Sequence, residues 1–256
     1  KFDTPWEDRV ATAVFRGGST GCGVTPETNT RLKLAQMSAN NERDSDDLLF
    51  LDAGITNWNL RTRKIQGEKY LQTIEIDKVG VQLVPKLTPS EQSKFKYIIN
   101  VDGHVSAFRL SLEMNMGACL LLVDSPYRMW FRKSIVPYVH YVPVKADMSD
   151  LISQIKWCKS HDDECKQIAD NARKFYQTHL SEDGCLDYMQ SLLVKLKQRT
   201  GVYLYNSMTP TNMMMLKKHN ILMPYRSMYP RTEEAAKFGG YPAISPMARQ
   251  ARSHGL

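Results

Sequence analysis

The sequence KYIINVDGHVSAFRLSLEMNMGACLLLVDSPYRMWFRKSIVPYVHYVPV, residues Lys96–Val144, decides the fold. Its apolar run Tyr97–Val101 has the length and β-branched content of a buried strand, and it stops at Asp102-Gly103, where glycine permits a sharp turn. A second apolar run, Ala118–Val123, lacks the alternation of a half-exposed strand, which is typical of a strand covered on both faces. The two runs together predict a parallel sheet.

A helix is predicted between these strands, over Val105–Met116. Phe108, Leu112 and Met116 recur at spacings of four, which places them on one face of a helix, and that face is expected to be buried. The order strand, helix, strand is the repeating unit of parallel α/β sheets.

Polar residues follow the first of these strands. In parallel sheets, ligands bind outside the carboxyl ends of the strands, where helix amino ends offer free N–H groups to anions such as a diphosphate. We therefore expect Asp102, Ser106 and Arg109 to cluster at this edge of the sheet.

A glycine-rich segment, RGGSTGCG at Arg16–Gly23, follows a predicted strand at Thr12–Phe15. Such a loop can cradle phosphate, but glycines also form ordinary turns, so this pattern alone is a weak signal. Further strands are predicted over Asp47–Leu51, Val79–Val84 and Val139–Val144, with helices over Thr30–Ser38, around Leu151–Cys158, around Ile168–Phe175 and over Cys185–Lys197. The last three helices each carry an apolar stripe that is expected to face the core: Leu151, Ile152, Ile155 and Cys158 on the first, Ile168, Ala169, Ala172 and Phe175 on the second, and Leu186, Met189, Leu192, Leu193 and Leu196 on the third.

These motifs together resemble the Rumi-like protein O-glucosyltransferases and capsule-associated glycosyltransferases, glycosyltransferase family 90. The resemblance spans residues 6–200. The family pattern of Lys-Tyr, Asp-Gly, a small residue and an aromatic-Arg pair is matched by Lys96, Tyr97, Asp102, Gly103, Ser106, Phe108 and Arg109. A later signature is matched by Pro137, Tyr138, His140, Tyr141, Pro143 and Val144. An upstream Phe-Arg-Gly-Ser-x-Thr element is similar to Phe15, Arg16, Gly17, Gly18, Ser19 and Thr20, with one residue inserted.

The resemblance implies an α/β, GT-B-like fold, in which a Rossmann-type parallel sheet flanked by helices forms the nucleotide-sugar-binding lobe. It also implies transfer of a sugar from a UDP-sugar donor to a hydroxyl of a protein or glycan acceptor, with no metal and no further cofactor. The residues that it places at the donor are Arg16, Gly17, Ser19, Thr20, Asp102, Gly103, Ser106 and Arg109.

Charge suggests how these residues would act. Arg16 and Arg109 are expected to converge on the diphosphate and neutralise it as it departs, while Asp102 or Ser106 would position ribose or sugar hydroxyls.

No catalytic base is assigned. In the resembled family, the aspartate that serves as base comes from a lobe far upstream of the Phe-Arg-Gly element, and only fourteen residues precede Phe15 here. The acceptor lobe is therefore expected to be largely missing from this chain. Met129 stands where relatives commonly have a glutamate. An alternative stays open, in which a degenerate glycosyltransferase fold serves as a structural or assembly subunit.

Three other features carry alternative interpretations. Asp44-Ser45-Asp46 has the form of a metal-binding motif of other glycosyltransferases, but a plain polar loop is favoured. His140 could be a base or a structural histidine. The five cysteines form no CxxC pair, which argues against a zinc site, and Cys119 is expected to be core. A disulfide between Cys158 and Cys165 would require the flanking helices to turn back on each other.

Composition divides the chain into residues 1–204, the predicted sugar-nucleotide domain, and a tail over residues 205–256. The tail holds seven methionines and seven basic residues against two acidic ones, and is interpreted either as a surface segment or as an arm that docks a protein partner.

Charge and hydropathy argue against two further kinds of partner. The net charge is +7, but the basic residues do not cluster in a patch with interleaved stacking aromatics, so nucleic-acid binding is not expected. The chain contains no run of about 18 apolar residues, so no membrane span is predicted. The amino end shows no signal-peptide pattern, although the resemblance implies the secretory pathway.

Overall fold

The computed structural model describes residues 2–40 and 49–200, which fall into two compact units divided between Tyr176 and Gln177. The predicted Asp44-Ser45-Asp46 loop and the tail lie outside the described residues. In the first unit five parallel strands are ordered β2-β1-β3-β4-β5. These strands are β1 (Val10–Gly17), β2 (Leu51–Ile55), β3 (Phe95–Asn100), β4 (Cys119–Val123) and β5 (Val142–Val144). The predicted α/β fold with a Rossmann-type parallel sheet is confirmed.

Helices connect and cover the strands. The helices of the first unit are α1 (Thr30–Ala39), α2 (Ile76–Val79), α3 (Pro89–Gln92), α4 (Leu110–Asn115), α5 (Leu151–Ser160) and α6 (Asp162–Phe175). A π-helical turn, Tyr176–Leu180, leads into α7 (Glu182–Thr200). Among the helices in the described ranges, none combines the length and apolarity needed to cross a bilayer.

The main core lies between the sheet and helices α5 and α6. All five residues of β4 are buried, as the unbroken apolar run predicts. The two helices contribute apolar stripes that are also buried, which confirms their predicted core-facing sides: Leu151, Ile155, Cys158, Cys165, Ile168 and Ala169.

The strand order creates one special place at the carboxyl edge of the sheet. Strands β1 and β3 are neighbours, but the chain leaves β1 toward β2 on one side and leaves β3 toward β4 on the other. The loops that follow β1 and β3 therefore diverge and open a crevice, the topological switch point at which α/β sheets bind ligands.

The helix between β3 and β4 begins later than predicted. Asp102 Oδ1 accepts a hydrogen bond of 2.6 Å from the backbone N–H of Ala107, which holds the preceding residues in turns, so that α4 starts only at Leu110. Its buried face consequently carries Leu110, Glu113 and Met114. Of the face that the spacing predicts, Phe108 is 70% and Leu112 36% exposed, so the prediction is wrong for both, and only Met116 is buried.

Other strand boundaries also differ from the sequence predictions. The strand expected over Val79–Val84 does not form. Val79 is the last residue of α2, Gly80 caps that helix with a left-handed φ of 65°, and Leu83 makes a single bridge with Ile55. Asp52 lies within β2, not after a strand. The last strand starts three residues later than expected, because Tyr138 adopts a left-handed φ of 56° and a turn precedes β5.

Helix α7 confirms a predicted helix but not its predicted burial. The side chains expected to face a core are between 39% and 52% exposed: Leu186, Met189, Leu192, Leu193 and Leu196. The described part of this second unit consists of one turn and one helix, and no other described element of the unit packs on the stripe.

Close packing at Gly54 in β2 leads to a first prediction. A Cβ atom at Gly54 would lie 2.2 Å from Val84 Cγ2, so Gly54→Ala is expected to lower the free energy of unfolding by about 1–3 kcal/mol through overpacking. Urea unfolding monitored by circular dichroism measures this loss. Val84→Ala removes the clashing methyl groups. It should therefore lower the free energy of unfolding less in the Gly54→Ala background than in the unmodified chain. Strict additivity of the two losses would contradict this interpretation.

Candidate functional site

A single arginine, Arg31 on α1, joins the two loops at the switch point. Its Nε donates to the carbonyl of Asp102 at 3.0 Å, and Nη2 donates to that of Val101 at 2.9 Å. Nη1 donates to the carbonyl of Gly18 at 3.2 Å and to Thr20 Oγ1 at 2.8 Å. The guanidinium thus holds the loop after β1 against the loop after β3.

The start of α1 is fixed by the buried side chain of Asn29. Its Oδ1 accepts hydrogen bonds from the backbone N–H groups of Arg31 and Leu32, as a helix N-cap does, and its Nδ2 donates to the carbonyl of Gly23 at 3.0 Å. The glycine-rich loop and the first turn of α1 are therefore one connected structure, and Arg31 is placed by it.

A second guanidinium, that of Arg109, packs on the same aromatic ring as the first. Both groups contact the ring of Phe15, with Cζ of Arg109 at 4.9 Å and Cζ of Arg31 at 5.6 Å from its centroid. Arg109 Nη1 also donates to the carbonyl of Arg16 at 2.6 Å. A Cβ atom on Gly17 would lie 2.9 Å from Phe15 Cζ, so a larger residue at this position would clash with the ring.

The two arginines raise the positive potential of the crevice. Burial, and then the positive charge of Arg109, lower the pKa of Arg31 to about 10, so that Arg31 stays protonated at neutral pH. Within the described residues Arg31 makes no ion pair, and its four hydrogen-bond acceptors are all neutral oxygens. An anion bound here would offset the repulsion between the two cations.

One buried carboxylate accompanies this pair. Glu113 Oε2 accepts a hydrogen bond of 2.6 Å from Asn100 Nδ2. Glu113 Oε1 lies 3.0 Å from Arg109 Nε, a close ion pair in which the N–H is not aligned for a hydrogen bond. Burial raises the pKa of Glu113, although the charge of Arg109 opposes this shift.

The side chain of Arg16 points elsewhere. Its Nη2 lies 2.8 Å from both carboxylate oxygens of Asp52 on β2. Because neighbouring residues of a strand point to opposite faces, Arg16 leaves β1 on the side opposite Phe15, over whose ring Arg109 lies. The structure therefore does not bring the guanidinium groups of Arg16 and Arg109 together, and Arg31 takes the place that was expected for Arg16.

Other predicted residues of the site connect the loops to one another. Ser19 is fully buried, with Oγ accepting from the N–H of Asn59 at 2.7 Å and its carbonyl accepting from Arg63. A Cβ atom on Gly103 would lie 2.5 Å from Thr20 Oγ1, and Gly103 has no left-handed φ. Glycine is needed at this position for space, not for a strained turn.

An open cleft adjoins the crevice at the ends of β3 and β4. Asp102 and Ser106, two of the predicted residues, line it. The residues that line it from beyond β4 are Asp124, Ser125, Tyr127, Arg128, Met129 and Arg132. The cleft thus combines hydrogen-bonding groups with two further positive side chains, and the Met129 position noted from the sequence forms part of its wall.

His140 has a structural role. It is buried, and its Nδ1 accepts a hydrogen bond of 3.0 Å from the backbone N–H of Val136, while its ring packs edge-on against Phe175. This arrangement favours the structural alternative over a catalytic base.

Sequence reasoning missed Arg31, although one signal was available. A positive side chain in the first turn of a helix opposes the helix dipole, so an arginine there indicates a partner that offsets this cost.

The parallel sheet, with a cationic crevice at its switch point and a polar cleft beside it, defines a Rossmann-type α/β protein of the GT-B-like class. Residues 1–231 match the profile of the family described as Glycosyl transferase family 90, and the chain belongs to that family. The resemblance noted from the sequence motifs is confirmed.

Relatives extend the comparison. The chain is 58% identical over 208 residues to protein 179R of Invertebrate iridescent virus 6, covering 77% of this chain and 18% of that protein. It is 31% identical over 194 residues to Protein O-glucosyltransferase 3 of Homo sapiens, covering 76% and 33%. It is 41% identical over 102 residues to Protein O-glucosyltransferase 2 of Danio rerio, covering 40% and 20%. The chain therefore spans a third or less of the length of these relatives.

Proposed function

We propose that this chain is the donor-binding part of a glycosyltransferase, which takes a sugar from a UDP-sugar and transfers it to a hydroxyl of a protein or glycan acceptor. The observation that carries the proposal is that two guanidiniums, those of Arg31 and Arg109, both pack on the Phe15 ring at the switch point. Membership of family 90 supports sugar transfer, and relatives named protein O-glucosyltransferase suggest glucose as the sugar and a protein as the acceptor.

The leaving group explains why such a pair is useful. When the bond between the anomeric carbon and the phosphate oxygen breaks, negative charge grows on the departing diphosphate. Two preorganised cations in a partly dry crevice stabilise that charge more than water does. Arg31 is held by four hydrogen bonds and Arg109 by the Phe15 ring and the Arg16 carbonyl, so neither must reorganise during the reaction.

The adjoining cleft would receive the rest of the donor. Asp102 and Ser106 line it at the end of β3 and supply oxygens for ribose or sugar hydroxyls. Asp102 also caps the turn before α4, which limits the movement of its carboxylate. The base that removes the proton of the acceptor hydroxyl is not assigned to a residue of this chain. The predicted contacts of Gly17, Ser19, Thr20 and Gly103 would be made through the loops that these residues shape.

Isothermal titration calorimetry of the full chain tests the proposal. UDP and UDP-glucose should bind with dissociation constants in the range of about 1 μM to 1 mM, typical of enzyme substrates. Uridine, which lacks the diphosphate, should bind at least tenfold more weakly, because it cannot reach the two arginines. If neither UDP nor UDP-glucose gives a binding heat, the proposal fails.

A second candidate is a glycosyltransferase fold that serves only as an assembly subunit, with residues 205–256 as an arm for a protein partner. Met129 favours it, because its apolar side chain lines the cleft at a position where the family resemblance implies a glutamate. If this candidate is right, the chain should have no affinity for uridine nucleotides. The same titration therefore distinguishes it from the donor-binding function.

A further inference from the structure

Three cysteines from separate elements meet in the core. Cys119 at the start of β4, Cys158 on α5 and Cys165 on α6 place their sulfur atoms within 4.8 Å of one another. All three are free thiols with no measurable exposure to solvent. The sequence spacing gave no sign of this cluster, because its members come from one strand and two helices.

The turn between the two helices produces the cluster. Helix α5 ends at Ser160 and α6 begins at Asp162, so the chain reverses and brings Cys158 and Cys165 against the same side of the sheet. The Cys165 thiol donates a hydrogen bond to the carbonyl of Cys158 at 3.6 Å. The helices thus turn back as a disulfide would require, yet both thiols are reduced.

An unpaired hydroxyl adds an independent observation. Tyr97 on β3 is in register with Cys119 on β4, so the two side chains leave the sheet side by side on one face. Tyr97 is completely buried, and within the described part of the chain its hydroxyl has no hydrogen-bond partner. A buried polar group without a hydrogen-bond partner destabilises the fold, so this hydroxyl requires an acceptor, which a sulfur of the neighbouring cluster could provide.

We propose that Cys119, Cys158 and Cys165 bind one thiophilic cation with a filled d shell, Zn²⁺ or Cu⁺, and that the Tyr97 hydroxyl donates a hydrogen bond to a bound sulfur. A ligand set made only of sulfur selects soft cations and excludes Mg²⁺ and Ca²⁺. Metal–sulfur bonds of about 2.3 Å place three sulfurs roughly 4 Å apart, so the observed cluster needs only small side-chain rotations. The thiols release their protons to solvent as the cation binds.

The cluster is separate from the candidate donor site. Cys119 begins β4, whereas the crevice and the cleft lie at the carboxyl ends of the strands. Cation binding would stabilise the packing of α5 and α6 on the sheet. Loss of the cation should therefore leave the affinity for UDP unchanged, which separates a failure of this proposal from a failure of the proposed function.

The test measures metal content by native mass spectrometry of the full chain, folded under reducing conditions with Zn²⁺ in one arm and with Cu⁺ and glutathione in the other. About one ion per chain is expected in at least one arm. Cys119→Ala, Cys158→Ala and Cys165→Ala should each reduce the content at least tenfold. Cys22→Ala and Cys185→Ala remove cysteines outside the cluster and should retain the ion.

Two outcomes would overturn the proposal: an unmodified chain without an ion in both arms, or a content that Cys165→Ala leaves unchanged. If the variants do not fold, the metal content of the unmodified chain still tests the proposal. Cd²⁺, as a spectroscopic substitute for Zn²⁺, should produce an ultraviolet sulfur-to-metal charge-transfer band, and its absence would also reject the site. A protein mass lower by one H₂ would indicate a Cys158–Cys165 disulfide in place of a metal site.

Discussion

Replacing Arg31 with alanine is expected to weaken UDP binding by about 10- to 100-fold, because a charged hydrogen-bonding group contributes about 1.5–3 kcal/mol. The same substitution should lower the thermal midpoint of unfolding, because it leaves the carbonyls of Val101 and Asp102 and the hydroxyl of Thr20 without their donor. Calorimetry measures the first effect and a circular dichroism melt measures the second. The binding effect rests on the proposed function, whereas the stability effect does not.

Two further variants separate charge from geometry. Arg31→Lys retains a positive charge but cannot reach four acceptors at once, so it should melt at a lower temperature than the unmodified chain while losing less affinity than the alanine variant. Lys78→Ala removes one positive charge from an exposed ion pair with Glu75 and should change neither property. A folded Arg31→Ala chain with unchanged UDP affinity would show that the crevice does not hold the diphosphate.

The sheet was predictable because its signals are local. The apolar runs at Tyr97–Val101 and Ala118–Val123 report their own burial, and their parallel pairing follows from the helix between them. Arg31 was not predictable in the same way, because two of its acceptors lie 13 and 71 residues away along the chain. Periodicity placed Phe108 in the core, but it could not detect that the Asp102 carboxylate caps the chain at Ala107 and delays the helix.

The pairing of Arg16 illustrates a further limit. The family-like motif predicts that the loop after β1 belongs to the site, yet it does not specify which guanidinium enters the crevice. That depends on strand register, in which Val14 is opposite Asp52, so that Arg16 shares a face with the carboxylate. Register is a tertiary property, and sequence motifs alone do not encode it.

Glu113→Ala is expected to lower the free energy of unfolding by about 3–5 kcal/mol, the usual cost of removing one partner from a buried ion pair. The change leaves Arg109 without its carboxylate and the Asn100 amide without its acceptor, inside a site where Glu113 is only 1% exposed. Urea denaturation measures the loss. Glu91→Ala, at an exposed capping carboxylate of the short helix α3, is a suitable control and should cost much less.

The isosteric variant Glu113→Gln tests the electrostatics through pH. Burial raises the pKa of Glu113 above its ordinary value of 4.5, so the native state holds the proton more tightly than the unfolded state does. The resulting stabilisation is fully present below pH 4.5 and is lost as the pH rises through the raised pKa of the folded protein. The stability of the unmodified chain relative to Glu113→Gln should therefore fall over this interval and level off above it. Urea midpoints of both proteins across the interval provide the measurement. Parallel curves would mean that Arg109 compensates the burial completely, whereas a relative gain in stability with rising pH would mean that the ion pair outweighs desolvation and lowers the pKa of Glu113 below its ordinary value.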